Sequence, residues 1–309
     1  MATPISQAPS PSQPMLSGSL LVLLAAIGFS AKAVLVKLAY AYSPKVDAIT
    51  IMSLRMLMSL PFFVGVALWS RRNAGQVRLT PREGMTVAGL GVMGFYLAGI
   101  LDFSGLSYIS AGLERLILFM YPTLVVILSA LLFNRPMTGR ERLALLLSYI
   151  GIAVVFGANV KTAPPNLFLG SALIFGAALA FALYILISGR VVRRLGSARF
   201  TAYVMTSACI ATGVHFTATH NVAALELPPR VYAVALVMAV FSTVIPAFLL
   251  NAGMRRIGAN STSIISSIGP VITLYLAYVL LGEALTPLQL AGTALVIAGV
   301  LIASVRGAG

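Results

Sequence analysis

Residues 108–122 read YISAGLERLILFMYP, and residues 256–270 read RIGANSTSIISSIGP. A shift of 148 positions lays residues 108–156 on residues 256–304 without a gap, pairing Ile109 with Ile257, Ala111 with Ala259, Pro122 with Pro270, Thr138 with Thr286 and Gly151 with Gly299. Identities are few, but turns and apolar runs fall together, and a repeat is recognised by period and pattern jointly. In each copy a proline sits inside an apolar run. It removes a backbone hydrogen bond and frees carbonyls that, inside a bilayer, need protein or a water-lined cavity to satisfy them.

The 309 residues are 59% hydrophobic and 9% charged, with a mean hydropathy of +0.99. A soluble domain carries roughly 25% charged residues, so the chain reads as a multispanning membrane protein. At about 20 apolar residues per span, ten spans with short connections use nearly all of it and leave no room for a soluble catalytic domain. Helices are predicted at 17–39, 46–69, 84–105, 109–133, 139–158, 167–189, 199–219, 230–252, 258–281 and 287–305. Residues 1–16, rich in Ser and Pro and free of Lys and Arg, are expected to be a disordered cytoplasmic tail rather than a secretory signal. Two repeats follow, at 17–158 and 166–305, and Gly18–Phe29 has an echo in Gly170–Phe181 at a shift of 152.

The net charge of +14 is a topology signal, because the basic residues fall in short connections. With the N-terminus inside, the inner loops hold Arg71, Arg72, Arg78 and Arg82, then Arg135, Arg140 and Arg142, then Arg190, Arg193, Arg194 and Arg199, then Arg255 and Arg256, with Arg306 at the tail. The outer loops keep Lys37, Lys45, Lys161 and Arg230. Both termini are expected to be cytoplasmic. Five spans per repeat is an odd number, so the second repeat must cross the membrane upside down relative to the first. Inverted repeats of this kind place a solute site at their seam, and paired helix breaks point to it.

The segments ITIMSLRMLMSLP (49–61), LSYISAGLERLILFMYPTLVVILSALL (106–132) and RRIGANSTSIISSIGPVITLYLAYVLLGEALTPLQLAGTALVIAGV (255–300) resemble the EamA-type branch of the drug/metabolite transporter (DMT) superfamily. The resemblance covers essentially all of 17–305 and extends to the bacterial aromatic amino acid exporters of that superfamily. It implies an all-α membrane fold of ten helices in two inverted five-helix repeats, with helices 1, 3, 4, 6, 8 and 9 lining a central cavity. Two departures stand out. The usual Leu-Gly-Glu closing the fourth helix is Phe133-Asn134-Arg135, and the position before Pro270, often acidic in relatives, is Gly269.

Charges inside apolar runs cost about 2.5–3.5 kcal/mol each on insertion scales and default to functional candidates. They are Lys32, Arg55, Asp102, Glu114 and Arg115. Lys32 or Arg115 would meet a substrate carboxylate, and Asp102 or Glu114 an ammonium group or a coupling proton. Arg55, on a helix the resemblance puts outside the cavity, reads as a structural anchor. Tyr96, Phe103, Tyr121, Tyr184 and Tyr275 lie on the helices implied to line the cavity, where an aromatic ring supplies apolar surface and tyrosine also a hydroxyl. Asn251, Ser263 and Ser267 offer hydrogen bonds around the second break, and Pro122, Pro246 and Pro270 are the expected hinges. Each of these polar residues equally suits pairing or packing inside its own helix bundle.

The two histidines, His215 and His220, stand apart from Cys209 and from any carboxylate at metal-ligand spacing, so neither a metal site nor a catalytic triad is expected. No cofactor or nucleic-acid partner is expected either. The reading is a monomeric secondary transporter in the cytoplasmic membrane, working by alternating access and exporting amino acids, aromatic ones being the narrower choice. Within the same fold the alternatives are a nucleotide-sugar or phosphate-ester exchanger and a lipid flippase. From other classes they are a non-transport membrane receptor and an intramembrane enzyme.

Overall fold

The structure, a computed structural model, describes residues 12–73, 79–132, 134, 137–160, 166–266 and 268–304. Ten helices account for nearly all of them: α1 Ser12–Tyr42, α2 Ala48–Asn73, α3 Pro81–Gly105, α4 Ala111–Leu132, α5 Gly139–Val160, α6 Leu167–Leu195, α7 Ser197–Thr219, α8 at 229–266, α9 Gly269–Leu281 and α10 Pro287–Ser304. No strand occurs among the described residues. Helix α1 begins at Ser12, within the stretch expected as a tail, and residues 1–11 lie outside the described ones.

The end of α8 also differs from expectation. The connector predicted at 253–256 keeps helical hydrogen bonding, and α8 runs on to Ser266. No proline lies between Pro246 and Pro270 to stop it. The direction still reverses there. A Cβ on Gly28 of α1 would meet Pro246 and Phe241, one on Gly18 would meet Gly253, Arg256 and Ile257, and Ser30 bonds Gly269. Between residues 257 and 269 the chain therefore travels back along α1 by about twelve residues, or ~18 Å.

Contacts between connections establish the threading. Asp47, between α1 and α2, pairs with His220, between α7 and α8. Glu283, between α9 and α10, bonds Ala111 and Gly112 at the start of α4. At the other end Glu83 pairs with Arg194, and Arg256 bonds Ser17. Each helix thus crosses the bundle once. This is what ten spans require, although only six of the helices are long and apolar enough to be recognised as spans on length and composition alone.

Backbone irregularities repeat at the shift read from the sequence. A π-turn widens α3 at Val92–Leu97, and another widens α8 at Val240–Val244. In the second, the widening moves a carbonyl off Pro246, which has no N–H to bond it. In the first, where Ala98 replaces that proline, the Tyr184 ring packs against Gly94 within the π-turn. Helix α4 breaks at Phe119 and Met120, one turn ahead of Pro122. There Met120 N–H donates to Ile117 O at 3.0 Å, and its mate Ile268 N–H donates to Ile265 O at 3.3 Å ahead of Pro270. Left-handed residues follow α4 and α9 at matched positions, Asn134 (φ 49°) and Gly282 (φ 67°).

Helices α5 and α10 carry the symmetry axis. A Cβ on Gly151 would lie 2.6 Å from Gly292 O, and one on Gly299 would lie 2.6 Å from Ala144 O. These contacts exchange under the repeat, so the two helices pack antiparallel about a twofold lying across them. Small residues allow the close approach, which in lipid replaces hydrophobic driving force with van der Waals contact. Capping boxes open both helices. Thr138 and Glu141 bond each other's backbone N–H, and Thr286 and Gln289 do the same.

Candidate functional site

Helices α1, α3 and α4 bring three charges together. The Lys32 ammonium contacts Asp102 Oδ2 and lies 3.4 Å from Glu114 Oε1. The three residues are far apart in sequence and meet because α1 crosses both α3 and the N-terminal half of α4. Asp102 is 3% exposed and Glu114 0%. Removing such ions from water costs several kcal/mol each, which Coulomb attraction offsets only in good geometry. Here the geometry is incomplete: Asp102 Oδ1 and both Glu114 oxygens are buried without a hydrogen-bond donor. One ammonium faces two carboxylates, and both are closed off, so a solute reaches them only after the bundle rearranges.

Glu114 and Arg115 diverge as successive residues of a helix must, about 100° apart. Glu114 turns to α1. Arg115 turns to the start of α9, where its Nη2 would stand 2.8 Å from a Cβ on Gly269. Arg115 Nε is buried without a hydrogen-bond partner. Ser30 holds this corner together: its hydroxyl lies 2.6 Å from Ala26 O and 3.0 Å from Gly269 O, and its own carbonyl accepts from Thr273 Oγ1 at 3.1 Å.

The aromatic candidates separate into four places. Tyr121 and Tyr184 join Phe95 and Phe181 in one cluster across α3, α4 and α6, with Tyr121–Phe181 centroids at 5.1 Å and Phe95–Tyr184 at 5.0 Å, both edge to face. Tyr184 is the repeat mate of Lys32, so the position that is ionic in the first half is aromatic in the second. Phe103 is 1% exposed beneath the Arg55 guanidinium, 4.8 Å away, and Tyr96 bonds His215 Nδ1 at 2.7 Å. Tyr275 is 62% exposed, on the face of α9 opposite Thr273 and Ala277, which pack inward. Ser267 lies outside the described residues, as do the side chains of Asn251 and Ser263.

Two contributors, Lys37 and Glu283, escaped the sequence reading, and Arg55 takes a place beside them. Arg55, read as an anchor on an outer helix, is 7% exposed and turned inward onto Phe103, beside Asp102. Lys37, counted as an outer-loop charge, donates to Leu106 O at 3.3 Å and Ile109 O at 2.9 Å. Glu283 accepts from Ala111 N–H at 2.9 Å and Gly112 N–H at 3.3 Å, capping the N-terminus of α4 from the other repeat. The Leu-Gly-Glu motif it closes was the available signal. An apolar groove of about 320 Å³ between α2, α3 and α7, lined by Val64, Leu68, Val87, Tyr203 and Ile210 among others, holds none of the predicted residues.

The two halves of the chain each match the family model described as EamA-like transporter family, over residues 16–157 and again over 168–305. The chain belongs to this family. It is a transporter of the drug/metabolite type and a multi-pass membrane protein, and membership implies a small-molecule substrate. The Bacillus subtilis (strain 168) "Uncharacterized transporter YcbK" is 30% identical over 283 residues, 89% of each chain. "Uncharacterized transporter YyaM" of the same organism is 29% identical over 218 residues, 70% of this chain and 71% of its own. A solved crystal structure superposes with a TM-score of 0.64 at 17% identity, covering 93% of this chain and 96% of that one, a likeness of fold alone. In this EamA-like transporter the family's two repeats are the two halves that the glycine contacts of α5 and α10 relate.

Proposed function

We propose that this EamA-like transporter exports amino acids across the cytoplasmic membrane by alternating access, with both termini in the cytoplasm. The observation that carries the reading is the pairing of Lys32 with both Asp102 and Glu114 in a closed centre flanked by Arg115. Both signs of charge stand within one helix turn on α4. A zwitterion can enter such a network by exchanging partners, its ammonium taking a carboxylate and its carboxylate a cation, without leaving a net charge in the low-dielectric centre. The Tyr121–Phe181–Tyr184 cluster next to it supports an aromatic side chain. One ammonium shared by two carboxylates also leaves a place for a coupling proton.

Helix breaks at matched places supply the bending that alternating access requires. Pro122 and Pro270 follow them, and Pro246 follows a π-turn.

The test is flux into proteoliposomes for a panel of amino acids, nucleotide sugars and organic cations, with and without an imposed pH gradient. Movement of amino acids, or competition by them, is the expected result; if they neither move nor compete, the substrate reading fails. Single cysteines at Asn221 and Gly196, probed in whole cells with a membrane-impermeant reagent, should label from outside and only after lysis, respectively.

A further inference from the structure

The sequence leaves open whether Lys32 or Arg115 meets a substrate carboxylate, and the geometry points to Arg115. We infer that the guanidinium of Arg115, packed against Gly269 at the start of α9, is the subsite for an anionic carboxylate on the substrate, while Lys32 serves to hold the two carboxylates that take an ammonium. This rests on the amino acid reading for the ammonium half and stands alone for the carboxylate half.

Four observations carry it. Lys32 is engaged by Asp102 and Glu114 together, so a substrate carboxylate would have to displace two internal ones to reach it. Arg115 has no carboxylate within salt-bridge distance among the described residues, and its Nε is buried without a partner, a state that costs free energy until an acceptor arrives. The guanidinium lies against the start of α9 because residue 269 has no side chain: a Cβ there would come 2.8 Å from Nη2, 3.5 Å from Nε and 3.4 Å from Ser30 Oγ. Finally, Gly269 begins a 13-residue helix that no side chain caps, so the positive end of its dipole lies at the same corner.

The spacing suits an α-amino acid. Its ammonium and carboxylate are both borne by Cα and point apart, as do the groups meant to receive them, Glu114 towards α1 and Arg115 towards the start of α9. A guanidinium binds a carboxylate through two parallel hydrogen bonds, which an ammonium cannot do. Gly269 therefore acts as a specificity determinant by being small. A carboxylate built in at that position would occupy Arg115 from within.

The experiment compares each amino acid with its carboxamide, which keeps the ammonium and side chain and loses the anion, as competitors of flux in reconstituted full-length protein. Phenylpropionate, a carboxylate without an ammonium, is added as a binding probe read by thermal shift in detergent. In the wild type the acid should compete about tenfold or more better than the amide. In Arg115→Gln and in Gly269→Asp the preference should collapse to within about twofold, with the amide's own potency unchanged. Gly269→Asp guards against misfolding as the cause, because an internal Asp–Arg pair should leave the melting temperature at or above that of the wild type. A preference that survives in folded Arg115→Gln or Gly269→Asp overturns the subsite. If amino acids are carried but acid and amide compete equally, the subsite is wrong and the amino acid reading stands. If amino acids are not carried but phenylpropionate binds and loses binding in Arg115→Gln, the subsite stands and the amino acid reading is wrong.

Discussion

Glu283 Oε1 accepts a hydrogen bond from the backbone N–H of Ala111 at 2.9 Å, joining the α9–α10 connection of the second repeat to the first turn of α4. The second oxygen takes Gly112 N–H at 3.3 Å, so one carboxylate from a connection of the other repeat does the work of an N-cap. The same turn exists at the repeat-equivalent corner, with Asn134 in the left-handed conformation of Gly282. There the next residue is Arg135, which lies outside the described residues and whose side chain has no acceptor. A carboxylate latch of this kind therefore belongs to one face of the bundle.

Replacing Glu283 by Ala should cost about 1–2 kcal/mol, the usual value of a lost cap, because two N–H groups lose their acceptor. Thermal unfolding in detergent measures it. Glu283→Gln, which keeps one acceptor oxygen, should lose less, and equal losses for Ala and Gln would show that the cap contributes nothing.

Lys32→Met should be the most damaging single change in the centre, because it leaves Asp102 and Glu114 facing each other without a counter-ion. Breaking a buried pair typically costs about 3–5 kcal/mol. Neutralising the partners as well, in Lys32→Met/Asp102→Asn/Glu114→Gln, should recover most of the melting temperature while transport stays lost. Recovery of flux in the triple variant would mean that the cluster only holds the fold.

Asp47 predicts a pH dependence outside the spans. Partial burial works against its ionisation, but the Thr50 hydroxyl and backbone N–H and the His220 ring outweigh it and hold its carboxyl below the ordinary aspartate value; Thr50 N–H lies 2.8 Å from Oδ1 and His220 Nε2 2.8 Å from Oδ2. A depressed folded value stabilises the protein above the unfolded value, near pH 4, and that contribution is lost as pH falls through the folded one. The stability difference between wild type and Asp47→Asn should shrink as pH falls below about 4. A difference that grows on acidification contradicts the assignment.

Gly151→Leu and Gly299→Leu should destabilise by similar amounts, about 1–3 kcal/mol each, since either side chain would force α5 and α10 apart at equivalent contacts. Gly157→Ala, where a Cβ meets nothing within 4 Å, is the control. Unequal losses at Gly151 and Gly299 would argue that the twofold does not pass between these helices.

The architecture was legible because it depends on patterns that survive in one dimension. Apolar runs set the number of spans, an odd number per copy forces inversion, and Pro122 with Pro270 marks the breaks within a residue or two. The π-turns were not legible, because the first forms without a proline, where a ring from α6 packs on Gly94. Nor was the helical continuation of α8 through its reversal: the spans read as ending at 252 and restarting at 258, yet helical bonding runs on between them.

The sequence by itself determined that the chain is membrane-embedded, duplicated and inverted, because hydrophobicity, proline placement and span parity act locally and add along the chain. It also supplied the set of intramembrane charges. Only the tertiary structure decided their partners: that Lys32 serves both Asp102 and Glu114, that Arg55 turns inward to Phe103, that Glu283 caps a helix of the other repeat, and that the missing side chain at Gly269 faces Arg115. Such pairings join residues tens to hundreds of positions apart. They depend on the rotation of one helix against another, and a residue's direction around its helix changes by about 100° per position, so it is settled only when the helices pack.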